Sequence, residues 1–180
     1  MRVITGSAKG RRLYTLEGKD VVRPTSDKVK EAIFSAIQFD IEGRRILDLF
    51  SGSGQLGIEA LSRGAASAVF VDSAKASIDV TKKNLEITGL TDRASIICSD
   101  YSTYLTRSNE IFDIVFLDPP YKAGILPDAL IKVIPKLSDY GCVFCEHPSN
   151  IFLLDNVEDF SVFKKYKFGG ITVTMYKKVF

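Results

Sequence analysis

Ile46-Leu47-Asp48-Leu49-Phe50-Ser51-Gly52-Ser53-Gly54-Gln55-Leu56-Gly57 sets an apolar strand, a glycine turn and the start of a helix in immediate succession. Ile46 to Phe50 reads as the strand, and Ile58, Leu61 and Ala65 continue past the turn at helical spacing. Gly52, Gly54 and Gly57 keep the G-x-G-x-x-G spacing, in which missing side chains permit a tight turn and close backbone approach to a ligand at a helix N-terminus. The pattern alone is weak; its surroundings strengthen it. Ser67 to Val71 forms a second strand ending in Asp72, 20 residues after Gly52, where an acidic side chain can accept bonds from ribose hydroxyls. This succession predicts an α/β fold with a nucleoside cofactor at the carboxyl ends of its strands.

A second stretch, Phe112 to Leu117, is the near-continuous apolar run of a strand buried on both sheet faces, and it ends in Asp118-Pro119-Pro120-Tyr121. Proline lacks a backbone donor, fixes its own φ and pushes the preceding residue toward extended geometry. Asp118 and Pro119 thus form a rigid pair of acceptors, a carboxylate and a carbonyl, while Tyr121 offers a ring to a flat heterocycle. A planar amine is the natural guest. The plainer alternative is a strand stopped by prolines, with Asp118 as a turn acceptor.

The chain has 180 residues, 46% hydrophobic and 26% charged, enough for one full core and far from the composition of a disordered chain. No apolar run approaches the roughly 20 residues needed to span a bilayer, and Met1 to Gly6 lead into no signal-peptide core, so a cytoplasmic location away from membranes is expected. The net charge of +2 is uneven: residues 1–30 hold eight basic and three acidic side chains, which makes them +5 and leaves −3 elsewhere. Such a segment ahead of a nucleotide-type fold suits contact with nucleic acid phosphates, through Lys9, Arg11 and Arg12, with an ordinary solvated segment as the rival; Arg23 and Thr25 could contact RNA as well, line the cofactor cleft or simply start the helix.

Cys98, Cys142 and Cys145 give little chemistry. Cys142 and Cys145 fall three apart on a strand and face opposite sides, so they share no metal, and none is expected. His147 is the only histidine, without a serine elbow, which argues against triad chemistry.

Elsewhere the pattern alternates. Val3–Thr5 and Arg12–Tyr14 suit a short hairpin, Ser26 caps a helix reaching Gln38, and strands begin near Arg44, Ser67, Ala94, Phe112 and Gly141. Helices are expected over Ala74–Thr88, closed by Gly89, and within Ile125–Leu137, restricted by Pro127 and Pro135. Phe160–Phe168 and Ile171–Tyr176 flank Gly169-Gly170, a hairpin signal. A mostly parallel sheet with an antiparallel end follows.

Asp48-Leu49-Phe50-Ser51-Gly52-Ser53-Gly54, Asp72, Asp100 and Asp118-Pro119-Pro120-Tyr121, in this order, resemble class I S-adenosylmethionine-dependent methyltransferases acting on amino groups. Gly6-x-x-Lys9-Gly10-Arg11-Arg12-Leu13, the run from Arg23-Pro24-Thr25 to Phe34, and Gly57 to Gly64 narrow the resemblance to the RsmD family, over essentially the whole chain. Those bacterial enzymes methylate the exocyclic N2 amine of a guanine in 16S rRNA. The resemblance implies a Rossmann-like, mostly parallel seven-stranded sheet with helices on both faces and a C-terminal hairpin. Residues 1–40 would be a basic hairpin and helix extension of the methyltransferase domain, residues 41–180. It implies that Asp48 and the turn of Gly52, Ser53 and Gly54 hold the methionine part of S-adenosylmethionine, that Asp72 holds the ribose, that Asp100 and Tyr101 border the adenine, and that Phe50 and Ser73 also line the cofactor site. Asp118, Pro119, Pro120 and Tyr121 would serve catalysis, on rRNA in the small subunit or its precursor, as a monomer.

Other classes compete for the same residues. An NAD-dependent oxidoreductase would use the glycines and Asp72 but leave Asp118 to Tyr121 without purpose. An adenine-N6 methyltransferase shares the corner, and a non-catalytic RNA-binding protein would need only the basic arm. Asp48, Asp72 and Asp100 each have a bland rival as strand-end acceptor or helix cap.

Overall fold

In the computed structural model, which describes residues 1–16, 25–122 and 124–180, the apolar runs pair side by side. The strands are β1 (Arg45–Asp48), β2 (Ser67–Asp72), β3 (Ala94–Cys98), β4 (Phe112–Leu117), β5 (Leu137–Pro148), β6 (Asn156–Val157), β7 (Phe160–Phe168) and β8 (Ile171–Lys178). They form one sheet in the order β3-β2-β1-β4-β5-β8-β7-β6, parallel from β3 to β5 and antiparallel beyond. The sheet therefore has eight strands among the described residues instead of seven. The additional strand, β6, pairs only Asn156 and Val157 with Ser161 and Phe160, too short to leave a periodic signal in the sequence.

Helices α1 (Asp27–Ala36), α2 (Gln55–Ser62) and α3 (Lys75–Thr88) share one core with Ile46, Phe70, Ile114, Phe116 and Phe144. Helices α4 (Tyr101–Arg107) and α5 (Ile125–Val133) share the other with Leu47, Val69, Val115, Leu117 and Val143. The alternation of strand side chains sorts the residues between these faces. Cys142 and Cys145 fall in opposite cores, as their spacing predicts. Phe116 lies 5.6 Å from Phe34 and 6.0 Å from Phe144 between ring centroids. Such aromatic pairs contribute about 0.5–1.5 kcal/mol each beyond the area they bury.

Local signals set the ends. Ser26 accepts from Val29 N at 3.3 Å and caps α1, Gly89 ends α3 in the left-handed region, and Pro127 falls within the first turn of α5, where its missing N–H costs nothing. Gly141 is not the start of β5: that strand begins four residues earlier at Leu137, with a bulge against β4 between Phe112 and Ile114. A Cβ on Gly141 would lie 2.9 Å from the Ser138 carbonyl oxygen, so glycine here marks the bulge and not the boundary.

The N-terminal segment pairs less than a hairpin would. One bridge joins Arg2 and Arg12, flanked by Val3 N to Arg11 O at 3.0 Å and Leu13 N to Met1 O at 3.1 Å. Its anchor is α2. Glu59, fully buried, accepts from Ile4 N (2.8 Å), Thr5 N (3.0 Å) and Arg63 Nε (2.8 Å), and stands 3.6 Å from the equally buried Lys30 ammonium. Ser62 adds bonds to Thr5 O and from Ala8 N. Lys30, one of the basic residues of the first thirty, thus serves packing.

Candidate active site

In the sheet order β1 stands between β2 and β4, so the connections diverge on either side of it and a crevice opens over its carboxyl end. Asp48 closes β1, Asp72 closes β2, Asp100 lies just past β3 and Asp118 directly follows β4. Parallel pairing brings all four to one edge.

The glycine turn is built by this edge. Ser51 N donates to Val71 O at 3.0 Å and Gly54 N to Ser51 O at 2.6 Å. Gly54 has φ 77°, left-handed, and forms the N-cap of α2 without a side-chain cap of its own; Asp48 takes the Gly57 N–H, which leaves those of Gln55 and Leu56 available to a ligand. Gly57 acts in packing, since a Cβ there would lie 2.3 Å from the Phe70 ring; the third glycine lets α2 lie close on β2. A Cβ on Gly52 would meet nothing within 4 Å, which leaves room over the turn.

The acidic residues brace this turn as well as facing the crevice. Asp72 accepts from Gly52 N and Ala74 N, both at 2.9 Å, and each of its oxygens keeps a second lone pair. Asp48 accepts from Gly57 N at 3.0 Å, and burial pushes its carboxyl up to about 7 despite that bond, with the Asp72 charge adding to the rise. Asp100 caps α4 by accepting from Thr103 N at 3.0 Å. Tyr101 stacks near Phe50, centroids 5.3 Å apart, and donates to Asp128 at 2.8 Å, forming an aromatic wall. Ser73 is exposed beside Asp72, and the Ser53 carbonyl accepts from Asn84 at 2.8 Å.

At the proline corner, Pro119 is buried, while Pro120 and Tyr121 are exposed. Asp118 Oδ2 accepts from the Thr25 hydroxyl at 3.1 Å, and Oδ1 is buried with no hydrogen-bond partner among the described residues. Burial, and then the neighbouring Glu146 charge, raise the Asp118 carboxyl well above its ordinary value, against the pull of the Thr25 bond. Ser51 Oγ and Gln55 Oε1 are the other buried unpartnered side-chain atoms among the described residues, and both sit in the turn and the helix start after β1. Buried polar atoms are nearly always paired, so three orphans around one crevice mark a place built to meet a polar ligand.

The family model described as "Conserved hypothetical protein 95" matches residues 1–177. The chain belongs to that family. It is 42% identical over 99% of both chains to YlbH of Bacillus subtilis (strain 168), named as a candidate rRNA methyltransferase. It is 30% identical to ribosomal RNA small subunit methyltransferase D of Escherichia coli (strain K12), over 99% of this chain and 90% of the relative. Among solved structures, yhhF of Escherichia coli, named as a candidate methyltransferase, superposes with a TM-score of 0.88 at 30% identity, covering 99% of this chain and 97% of that one. The Thermus thermophilus 16S rRNA N2 guanine methyltransferase RsmC, solved with AdoMet and guanosine, gives 0.67 at 25% identity over 87% of this chain and 44% of that one. The resemblance to RsmD is upheld by these relatives, as is the methyltransferase fold.

Some expected site residues stand elsewhere than the sequence suggests. Thr25, open in the sequence to RNA, the cofactor cleft or the helix start, is buried, with its hydroxyl on Asp118 and its carbonyl accepting from Gln55 at 3.3 Å; the parallel strands draw it to the corner and away from solvent. Arg23 lies outside the described residues. Lys9, Arg11 and Arg12 are all exposed. Three contributors do not stand out in the sequence: Glu146 beside Thr25, and Thr81 and Asn84, which hold the Gly52 and Ser53 carbonyls from behind at 3.0 and 2.8 Å. Ser77, Thr81 and Asn84 form a buried polar stripe at helical spacing on α3, and that stripe is the signal that could have found the last two. His147 is a core residue, held between Thr174 and the Pro148 carbonyl.

Proposed function

We propose that this chain transfers the methyl group of S-adenosylmethionine to the exocyclic N2 amine of a guanine in 16S rRNA, as a monomer acting in the bacterial cytoplasm on the small subunit or an assembly intermediate. The observation that carries it is Asp118 Oδ1, a buried acceptor without a partner among the described residues, fixed by two prolines at the crevice where the glycine turn opens. The crevice fits the cofactor: open space over Gly52, the uncapped Gln55 and Leu56 N–H groups at the start of α2, and the Asp72 carboxylate with lone pairs to spare. When bound, the cofactor supplies an electrophilic methyl on a sulfonium.

The residues then act on the amine. The lone pair of a guanine 2-amino group is delocalised into the ring, and two acceptors on its N–H groups direct it outward. Asp118 Oδ1 and the Pro119 carbonyl supply them, and the carboxylate stabilises the positive charge that develops on nitrogen. Tyr121, half exposed, stacks on the base once it leaves its neighbours. The named substrates of the relatives, ribosomal RNA and, for RsmC, the guanine N2 position, support this choice over adenine.

The decisive experiment maps base methylation in 16S rRNA from cells lacking the protein. Loss of one N2-methylguanine, restored by the purified enzyme with S-adenosylmethionine, is expected; an unchanged methylation pattern sinks the assignment. Naked rRNA and assembled subunits, offered separately, identify the preferred substrate.

Two further outcomes test the parts. Asp72→Ala is expected to weaken S-adenosylmethionine binding by calorimetry roughly 10–100-fold, since bonds to a charged acceptor contribute about 1.5–3 kcal/mol. Replacing Arg11 and Arg12 with alanine should lower RNA affinity and flatten its logarithmic salt dependence by about one unit for each phosphate that is no longer neutralised. An unchanged slope assigns these side chains to solvent.

A further inference from the structure

The Thr25 hydroxyl has one proton and stands within hydrogen-bond distance of two carboxyl groups, Asp118 Oδ2 at 3.1 Å and Glu146 Oε2 at 3.0 Å. Parallel pairing causes this. Leu117 of β4 lies opposite Cys145 of β5, so the next residues, Asp118 and Glu146, fall side by side on the α1 and α2 face of the sheet. Thr25, just before α1, is inserted between them, 4% exposed beside a 7% exposed Glu146. If both carboxyls were ionised, the hydroxyl would satisfy one and turn a lone pair toward the other, in a buried setting where like charges repel strongly. A single added proton completes the chain in either direction.

We propose that Asp118 and Glu146 share one proton through the Thr25 hydroxyl, and that amine binding selects the form in which Glu146 holds it and Asp118 is a carboxylate. This rests on the assignment of Asp118 as the acceptor of the substrate amine. The shift balances. An O–H bond breaks at Asp118 Oδ2 and forms at Thr25 Oγ1, while the original Thr25 proton passes to Glu146 Oε2. Glu146 then donates to Thr25, Thr25 donates to Asp118, and Oδ1 faces the amine with full negative charge available. As the methyl bonds to nitrogen, the surplus N–H proton passes to Asp118; the pair then holds two protons and loses one to solvent. Glu146 touches no reacting atom in this scheme and is a positioning residue.

The surroundings keep the pair from ionising fully. Burial raises Glu146 as it raises Asp118. Of the described charged groups facing them, Asp48 on β1 adds to the rise of Asp118, while Tyr121 is kept neutral by burial and by both carboxyls and adds no charge. On the same elements, His147 turns to the opposite sheet face and Thr174, and Lys30 of α1 is engaged by Glu59. Pairs of carboxyls in close contact titrate as a unit, with two separated steps.

The test uses the full-length enzyme and the pH profile of methyl transfer. Wild type is expected to give a bell, its acid limb from the doubly protonated pair and its alkaline limb from loss of the shared proton. In Glu146→Gln the amide donates permanently to Thr25, so the alkaline limb disappears while the acid limb persists. Thr25→Val should break the relation between the limbs and Thr25→Ser restore it. Infrared difference spectra without substrate supply an independent readout: the C=O stretch of one protonated carboxyl, present in wild type at neutral pH, is lost in both Glu146→Gln and Asp118→Asn. A preserved alkaline limb in Glu146→Gln, or no protonated carboxyl in the wild-type pair, overturns the shared proton. Failure of the underlying assignment looks different, since Asp118→Asn would then retain methyl transfer.

Discussion

Asp118→Ala is expected to lower kcat/KM for methyl transfer by about 10³-fold, while S-adenosylmethionine binding by calorimetry changes little. Removal of a positioned acceptor and base costs about 10²–10⁴ in rate where it acts on the reacting atom. Among the described residues, Oδ1 is the one buried side-chain acceptor at the corner with no protein partner, so no neighbouring side chain takes over its place. Near-normal turnover in a folded, cofactor-binding variant would remove Asp118 from the chemistry. Stability should move the other way. The folded protein holds the Asp118 proton to a higher pH than the unfolded chain does, so the native state binds more protons over that interval and stability falls as pH rises through it. Asp118→Asn abolishes this loss. Its melting temperature should exceed that of the wild type by more at about pH 8 than at about pH 5, an instance of stability given up at a functional position.

Glu59→Ala is expected to destabilise the fold by about 3–5 kcal/mol, the range for removing one partner of a buried ion pair, and to lower Tm by about 10 °C. Lys30 would be left fully buried without its counter-charge, and the Ile4 and Thr5 N–H groups without an acceptor. Burial already pulls the Lys30 ammonium down from 10.5, with Glu59 pushing it back up. Without Glu59 it falls further, so the folded state binds fewer protons than the unfolded one and the deficit shrinks as pH rises toward the unfolded value. Lys30→Met combined with Glu59→Gln should cost less than the separate changes add up to, because the two charges are coupled. Hydrogen exchange should show residues 2–13 opening first in Glu59→Ala, since these bonds anchor that segment on α2. Protection equal to wild type there would mean that the bridge to Arg12 holds the segment by itself.

The sequence conveyed most of the architecture because its signals are local. Apolar runs of strand length, the caps at Ser26 and Gly89 and the Gly169-Gly170 hairpin act within a few residues of themselves. The misplaced features share a cause. Gly141 reads as a strand start because a glycine interrupting a strand pattern is ambiguous between boundary and bulge, and only the approach of the Ser138 and Asp113 carbonyls decides it. β6 escapes because two residues have no period.

The site divides in the same way. By itself the sequence determined the glycine turn, the strand-end acidic residues and the rigid Asp118-Pro119-Pro120-Tyr121 corner, since each is fixed by backbone restrictions of glycine and proline or by strand periodicity. Tertiary structure alone decided who meets whom. Thr25 is 93 residues from Asp118 and 121 from Glu146, and Ile4 is 55 from Glu59. Such partners are brought together by strand order and register, which place Asp118 beside Glu146 and draw Thr25 inward from the basic arm to which its neighbours in sequence assign it. A polar residue leaves no mark on chain periodicity until the sheet that buries it has formed.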